Sequence, residues 1–305
     1  MSVVVPVYNS AVSLPTLVQR LAAALQGRSY EVVLVNDGSR DDSWSVIRRL
    51  SEESGRVRGL NLMRNYGQHN ALLAGIRDAR GDTIVTMDDD LQHPPSEIPR
   101  LVAELDRGFD VVYGTPRAMP HSPLRNVSSW LTKLAVQKTM GVETARHVSA
   151  FRAFRSRLRN AFSGYQSPYV SIDVLLTWAT TRFAAVVVDH HPREHGRSNY
   201  TLTALVVHAF TMVTSFTTLP LRLASLLGFS FTLVGASVLI FVLVQYLLHG
   251  GSVPGFPFLA SIIAIFSGAQ FFALGIIGEY LARMHTRMME RPTYAIAEVV
   301  GRPDA

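Results

Sequence analysis

Short apolar runs alternate with longer amphipathic segments along the first hundred residues of the chain. The β-branched runs predict four strands, at Ser2–Val7, Tyr30–Val35, Val57–Met63 and Thr83–Met87. The segments between them predict three helices, at Ser13–Leu25, Asp41–Leu50 and Gln68–Ala79. This alternation predicts a Rossmann-like α/β fold, with a mostly parallel sheet and helices on both faces.

The pattern is weaker between residues 100 and 200. Two apolar runs, Val111–Tyr113 and Phe183–Val188, predict further strands. Between them, Leu124–Met140 mixes basic and apolar positions and predicts a helix. We find no internal repeat in the chain.

The hydrophobic pattern changes after residue 200. The segments 223–248 and 250–278 contain no charged residue, and each exceeds the roughly 20 residues that cross a hydrocarbon core of ~30 Å. Because the turn at 249–255 is rich in Gly and Pro, the two segments predict a transmembrane helical hairpin. A pair of fully buried core helices is the alternative. The preceding segment, 200–221, is rich in Ser and Thr and predicts interfacial amphipathic helices.

The basic residues around the hairpin predict its orientation. Arg222 precedes the first span, whereas Arg283, Arg287 and Arg291 follow the second, and the turn carries no Lys or Arg. The positive-inside rule then places both ends in the cytoplasm, on the inner (cytoplasmic) membrane of the cell. The predicted organisation is a cytoplasmic catalytic domain, interfacial helices, two transmembrane helices with a short extracytoplasmic turn, and a cytoplasmic tail, at residues 1–199, 200–221, 222–282 and 283–305.

Composition narrows the choice of partners. The 305-residue chain has a formal net charge of +6, almost wholly from arginine, which suits contact with anionic lipid. Nucleic acid is the competing explanation for a basic chain, but we find no recognisable nucleic-acid-binding module and predict no such partner. The chain has no cysteine, which excludes disulfides and thiolate metal sites.

Three consecutive carboxylates, Asp88, Asp89 and Asp90, stand where the fourth predicted strand ends, and Pro94 and Pro95 follow. Ligands of open α/β sheets bind outside the carboxyl ends of the strands. Clustered anions at that edge are costly unless a cation lies among them, and Mg²⁺ or Mn²⁺ is the natural candidate. A solvated acidic turn is the alternative.

Three further segments fall at the same predicted edge. Tyr8 follows the first strand and could stack on a base. Asp37 and Gly38 form a tight turn after the second strand, where a carboxylate could accept hydrogen bonds from a base or ribose. Arg64 begins a segment that leads into a helix, where positive charge and free amides favour phosphate. Together with the acidic run, these segments predict a nucleotide and metal site.

The motifs that carry this site resemble a known family. They are Val5-Pro6-Val7-Tyr8-Asn9, Val35-Asn36-Asp37-Gly38-Ser39, Arg64-Asn65-Tyr66-Gly67-Gln68 and Met87-Asp88-Asp89-Asp90-Leu91-Gln92-His93-Pro94-Pro95. This series is similar to the family 2 glycosyltransferases of the GT-A fold, and more narrowly to those that act on polyprenyl phosphate. The similarity continues through Ala150–Arg152, Arg193–Tyr200, Pro220–Arg222, the hairpin and Gly278–Leu281.

The resemblance implies roles for individual residues. It implies Asp88, Asp90 and Gln92 as residues of a Mg²⁺ or Mn²⁺ and diphosphate site. It implies a nucleotide-sugar site formed by Pro6, Tyr8, Asn9, Asp37, Gly38, Ser39, Arg64, Asp88 and Asp89. It implies phosphate contacts from Arg152, Arg193 and Arg197, which with Asp90 form the catalytic set. It implies an acceptor phosphate site formed by Arg152, Arg197, Ser198 and Tyr200.

Three positions depart from the family pattern. Ser10 stands where an acidic residue is usual, Asp89 where alanine is common, and Ala150 where many members have an aspartate that has been considered a base. A lipid phosphate monoester has a second pKa of about 6, so it is mostly a dianion near neutral pH and can attack without a protein base. We therefore predict that a carboxylate at position 150 is dispensable.

The predicted activity is the inverting, metal-dependent transfer of one sugar from a nucleotide sugar, by default a UDP-sugar, to undecaprenyl or decaprenyl phosphate. A processive polysaccharide synthase is one alternative, but none of Trp44, Trp130 and Trp178 lies in the Gln-x-x-Arg-Trp context of such enzymes. A catalytically silent membrane scaffold or sugar-lipid transport partner is the other. A homo-oligomer formed through the membrane region is a further prediction.

Overall fold

A computed structural model describes residues 1–116, 148–167, 169–190, 218–249 and 255–301. It divides the chain into two compact units, one of residues 1–205 with 290–305 and one of residues 206–289. Each unit is described by itself. The helix predicted at Leu124–Met140 lies outside the described residues, as do four predicted site residues, Arg193, Arg197, Ser198 and Tyr200.

The first unit contains an eight-stranded sheet in the order β7-β5-β6-β4-β1-β2-β3-β8. The strands are β1 Ser2–Val7, β2 Glu31–Asn36, β3 Val57–Leu62, β4 Thr83–Thr86, β5 Val111–Pro116, β6 Arg152–Arg155, β7 Phe183–Val188 and β8 Ile296–Val300. β1 pairs in parallel with β2 and β4, β2 with β3, and β5 with β7, whereas β6 and β8 pair antiparallel with their neighbours. The predicted mostly parallel sheet is confirmed.

Helices alternate with these strands as the sequence pattern predicts. They are α1 Leu14–Ala24, α2 Ser43–Glu53, α3 Gln68–Asp78, α4 Ile98–Asp106 and α5 Ile172–Ala179, with 3₁₀ turns at Pro95–Glu97 and Ser156–Phe162. α1 places Leu14, Leu17 and Leu21 in the core at helical spacing, and all three are fully buried. Every residue of β1 is buried, since it lies between two parallel strands and is covered by helices.

Two antiparallel strands were not predicted. β6 lies between β4 and β5, and its register sets Arg152 opposite Thr86 and Tyr113. The segment before β6 is thereby brought to the edge where β4 ends. β8 comes from the region predicted as a tail and pairs with β3, where Glu298 accepts a hydrogen bond from the Trp44 indole at 3.0 Å.

The second unit consists of α6 Leu219–His249 and α7 Phe256–Met288. Within the described residues, the segments Pro220–Leu248 and Ile265–Met288 are long and apolar enough to cross a membrane, and their side chains are largely exposed. The two helices contact each other where Phe266 packs edge-on against Phe231, with ring centroids 5.7 Å apart. These helices fit the predicted hairpin.

Candidate active site

Four loops meet at the carboxyl ends of the parallel strands β1 to β4. We call them the β1 loop, the β2 loop, the β3 loop and the β4 loop, comprising residues 8–13, 37–42, 63–67 and 87–94. Each joins a buried strand to the helix or 3₁₀ turn that follows it. Since the strands are parallel and adjacent, the four loops share one edge of the sheet, as the sequence predicts.

The β2 loop is fastened to the β3 loop by Asp37. Its carboxylate accepts the backbone N–H groups of Tyr66 at 2.7 Å and of Gly67 at 2.8 Å. Burial raises the pKa of Asp37, and the two N–H groups oppose that rise. Gly38 has a φ of +65°, and a Cβ there would lie 2.5 Å from the backbone nitrogen of Asn65. The close approach of the two loops therefore depends on glycine at position 38.

The β1 loop is fastened to the β2 loop through Asn9. Its backbone N–H donates to the Ser39 hydroxyl at 3.0 Å, and its side-chain oxygen accepts the Arg40 N–H at 2.8 Å. Asn9 itself has a φ of +55°, a left-handed conformation that asparagine tolerates better than most residues. Ser10 adds a backbone N–H bond to the Ser43 hydroxyl at 2.9 Å.

The β4 loop is fastened on both sides. Gln68, the first residue of α3, donates its amide to Asp88 at 2.7 Å. Asp89 accepts the backbone N–H of Tyr8 at 3.3 Å and a hydrogen bond from the Ser10 side chain. Burial raises the pKa of Asp89 to about 6, and the neighbouring charge of Asp90 adds to the rise.

These contacts join the four loops into a closed ring, which we call the loop ring. It runs from the β1 loop through Asn9 to the β2 loop, through Asp37 to the β3 loop, through Gln68 to the β4 loop and through Asp89 back to the β1 loop. Its carboxylates accept these hydrogen bonds from backbone N–H groups, a side-chain amide and a hydroxyl group. Because these donors are uncharged, they do not neutralise the charge of the carboxylates.

The β4 loop carries the oxygen atoms that suit a hard divalent cation. In the described parts of the chain no group of three or more His, Cys, Asp or Glu side chains is arranged to hold a metal ion. The predicted ligand set needs none, because it consists of two carboxylates and one amide, Asp88, Asp90 and Gln92, all half-buried. Mg²⁺ and Mn²⁺ are commonly held by one or two carboxylates with substrate phosphates and water, so these residues fit such an ion.

The backbone of the β4 loop turns sharply between Asp90 and Gln92, two of the predicted metal ligands. The Gln92 N–H donates to the Asp90 carboxylate at 3.2 Å. Leu91, between them, has a φ of +61° although its side chain is buried. Left-handed backbone at a bulky residue is strained, and such strain clusters at functional sites.

The predicted nucleotide-site residues differ in accessibility. Tyr8, Asn9 and Arg64 are exposed, and the Arg64 guanidinium lies 4.5 Å from the centroid of the Tyr66 ring. Gly38 and Ser39 are half-buried. Pro6 and Asp37 are buried, however, with Pro6 inside β1 and both Asp37 oxygens on backbone N–H groups. Direct contacts from these two residues to a nucleoside stay a prediction, and in the structure the Asp37 carboxylate binds the backbone of the β3 loop.

Arg152 was predicted to contact phosphate, and the structure gives it a different environment. Its side chain is 1% exposed and forms an ion pair with Asp173, which also accepts a hydrogen bond from the Tyr113 hydroxyl at 3.0 Å. A guanidinium buried against a carboxylate is neutralised there and is not presented to a ligand. Burial of Arg152 follows from its place in β6, between β4 and β5.

Ala150 lies beside this cluster, at the edge that carries the β4 loop. Its carbonyl accepts the Thr86 hydroxyl at 2.8 Å, and its side chain offers no acid or base. The backbone of the segment is thereby held against the end of β4.

Sequence reasoning missed two side chains at this edge. Gln68 was read only as part of a motif, although its amide holds Asp88. His93 is buried and stacks on Phe151 at 5.2 Å. Burial, and secondarily the charge of His190, lowers the pKa of His93 to about 4, so it is neutral near pH 7. Their positions next to the glycine turn and the acidic run were the available signals.

Comparisons with known proteins show the family of the chain. Residues 2–164 match the model of the family described as glycosyl transferase family 2. The chain is 39% identical to an undecaprenyl-phosphate 4-deoxy-4-formamido-L-arabinose transferase of Pseudomonas syringae pv. syringae (strain B728a), over 98% of this chain and 90% of that protein. A protein of the same name from Pseudomonas paraeruginosa is 40% identical, with the same coverage.

A solved structure shares the fold. It is glucosyl-3-phosphoglycerate synthase from Mycobacterium tuberculosis in complex with Mn²⁺, UDP and glucosyl-3-phosphoglycerate. The TM-score is 0.54 at 18% identity, over 70% of this chain and 77% of that one. This likeness confirms the predicted GT-A-like fold of the sheet and helices.

Proposed function

The chain belongs to glycosyl transferase family 2, and we propose that it transfers one sugar from a nucleotide sugar to a polyprenyl phosphate at the cytoplasmic face of the inner membrane. The observation that carries this proposal is the loop ring, which joins an exposed aromatic residue, an exposed arginine and an acidic run at one edge of the sheet. The names of the relatives support undecaprenyl phosphate as the acceptor.

The loop ring would bind the donor in parts. Tyr8 is 40% exposed and would stack on the base, while Arg64 would pair with the diphosphate. Asp88, Asp90 and Gln92 would hold Mg²⁺ or Mn²⁺, which when bound would neutralise charge on the departing nucleoside diphosphate. UDP is the proposed nucleotide, supported by the UDP complex of the synthase that shares the fold.

The acceptor phosphate would attack the anomeric carbon of the donor sugar. The bond between that carbon and the diphosphate breaks as the bond to a lipid phosphate oxygen forms, so a single displacement inverts the anomeric configuration. Since the lipid phosphate is mostly a dianion near neutral pH, no proton has to be removed and Ala150 is compatible with the reaction. Arg193, Arg197, Ser198 and Tyr200 remain the proposed acceptor and phosphate contacts, by resemblance.

The membrane supplies the second substrate. α6 and α7 contain segments able to cross a bilayer, and Arg222 and Arg283 to Arg291 flank them. This arrangement would keep the first unit on the cytoplasmic side of the membrane. The same helices are where self-association would occur.

The proposal is tested by product analysis. Membranes containing the full chain are incubated with Mn²⁺, undecaprenyl phosphate and a panel of nucleotide sugars that includes a 4-deoxy-4-formamido-L-arabinose donor, and lipids are identified by mass. We expect one new lipid that carries a single sugar. No new lipid from any donor would overturn the enzyme proposal in favour of a scaffold, and a polymer would favour the processive synthase.

A further inference from the structure

Asp89 lies between the two predicted metal-binding carboxylates, yet its own contacts are on the β1 loop. Its carboxylate accepts the Tyr8 backbone N–H at 3.3 Å and a hydrogen bond from the Ser10 side chain. Asp88, by contrast, is held by Gln68 from the β3 side. The β4 loop is therefore tied to opposite neighbours by adjacent residues.

The β1 loop needs such a tie because its backbone is not fixed by regular structure. Asn9 has a left-handed φ of +55°, and the Tyr8 side chain is 40% exposed. The remaining anchors described above, at Ser39, Arg40 and Ser43, all lie on the β2 side of the loop. Asp89 supplies an anchor from the β4 side, on the residue whose ring faces solvent.

We propose that Asp89 is a positioning residue, which fixes the Tyr8 backbone against the β4 loop so that the base-stacking ring and the diphosphate-binding carboxylates are held at one spacing. The proposal rests on the proposed function, since it assigns Asp89 to the geometry of the donor site. It gives Asp89 no role as a metal ligand, because its carboxylate accepts hydrogen bonds from Tyr8 and Ser10 of the β1 loop. It also predicts that a neutral side chain able to accept the Tyr8 N–H is sufficient at position 89 to maintain donor binding.

Asparagine at position 89 tests that last point. Its oxygen can accept the Tyr8 N–H, and its NH₂ group can donate to the Ser10 oxygen, whose own hydroxyl lies 3.2 Å from the Tyr8 carbonyl oxygen. Alanine removes both contacts. We expect Asp89→Ala to raise the donor KM about tenfold, the effect of losing one or two hydrogen bonds, while the acceptor KM stays unchanged. We expect Asp89→Asn to keep the donor KM within about threefold of the unsubstituted protein.

Substitution of Ser10 provides a second test of the proposal. If Asp89 acts through the β1 loop, Ser10→Ala will raise the donor KM less in the Asp89→Ala background than in the unsubstituted protein, because the contact that the two residues share is already lost.

The measurements are donor KM, acceptor KM, kcat and the Mn²⁺ concentration for half-maximal rate, on the purified full chain. Asp106→Asn is the matched control, since Asp106 is exposed, ends α4 and lies at the opposite edge of the sheet. A large fall in kcat or a raised Mn²⁺ requirement in Asp89→Asn would overturn the positioning role in favour of metal binding. An unchanged donor KM in Asp89→Ala would also overturn it. Inactivity of the unsubstituted chain would instead count against the proposed function.

Discussion

The carboxylates Asp37 and Asp89 of the loop ring are bonded differently from those at the amino edge of the sheet. At the amino edge, Arg58 pairs with Glu31 at 3.0 Å and with Asp78, and its side chain is 3% exposed. Burial raises the pKa of Glu31, but hydrogen bonds from Ser2, the Arg80 backbone and Arg58 outweigh it, so the pKa lies below its ordinary value. At the carboxyl edge, burial raises the pKa values of Asp37 and Asp89, whose donors are uncharged.

Asp110, which directly precedes β5, is another carboxylate at the amino edge that is bonded to arginine. It accepts hydrogen bonds from Arg157 at 2.8 Å and from the Thr180 hydroxyl at 2.7 Å. Burial raises its pKa, but these bonds and the charge of Arg182 bring it below the ordinary value. Arginine thus neutralises Glu31 and Asp110 at the amino edge, whereas Asp37 and Asp89 accept hydrogen bonds from uncharged donors.

The largest expected effect is on activity at the carboxyl edge. Asp90→Asn removes a proposed metal ligand and should lower kcat about a thousandfold or more, because charge on the leaving diphosphate is no longer compensated. The apparent melting temperature should not fall, since one of three adjacent carboxylates is lost. Initial rates and thermal unfolding of the detergent-solubilised chain measure the two effects. A fall in the melting temperature of Asp90→Asn along with its kcat would show that Asp90 also stabilises the fold, which contradicts the contrast between the edges.

The next effect is on stability at the amino edge. Arg58→Ala leaves Glu31 and Asp78 without their cation and should destabilise the first unit by about 3 kcal/mol. Arg107→Ala is the control, because its pair with Glu104 is exposed and should contribute less than about 1 kcal/mol. Denaturant unfolding followed by tryptophan fluorescence compares them. Equal destabilisation by both variants would show that the buried cluster has no special role.

Gly38→Ala should produce a smaller effect, confined to the site. A Cβ at position 38 would meet the backbone of Arg64 and Asn65, whereas one at Gly27, with a φ of +76°, would meet nothing within 4 Å. Both substitutions carry the conformational cost of a left-handed residue, about 1 kcal/mol. Only Gly38→Ala should also weaken donor binding, by about tenfold, through separation of the β2 and β3 loops. Similar donor affinity in the two variants would refute the packing argument.

The smallest expected effect is at Ala150. Introducing a carboxylate by Ala150→Asp should leave the rate within about tenfold, because the lipid phosphate already carries the attacking charge. The measurement is kcat with saturating donor and polyprenyl phosphate. A large gain would mean that a base at this position assists the reaction and that the dianion account is wrong.

The sequence predicted the first half of the fold well, for a physical reason. β1 to β4 are apolar β-branched runs with helices between them, so local pattern and tertiary role agree. β6 was missed because it is four residues long with arginine at both ends. Its burial depends on Asp173, which lies 21 residues away. β8 was missed because a short strand after a long apolar helix carries no signal of its pairing with β3.

The site was predicted by location more reliably than by contact. Asp88, Asp90 and Tyr8 lie at the expected edge because parallel strands end there together. The contacts of Asp37 and Arg152 were not predicted, since their burial and hydrogen-bond partners are set by residues distant in sequence. Two departures from the family pattern, Ser10 and Asp89, are in contact with each other. One sequence without a structure could not show that pairing.

The most direct test of the loop ring as a donor site is calorimetric titration of the purified chain with UDP. We predict binding that requires Mn²⁺ or Mg²⁺, that is lost in Asp90→Asn, and that is retained in the exposed control Asp106→Asn. Binding of UDP that needs neither the metal nor Asp90 would contradict the account, as would the absence of binding in a chain that still transfers sugar.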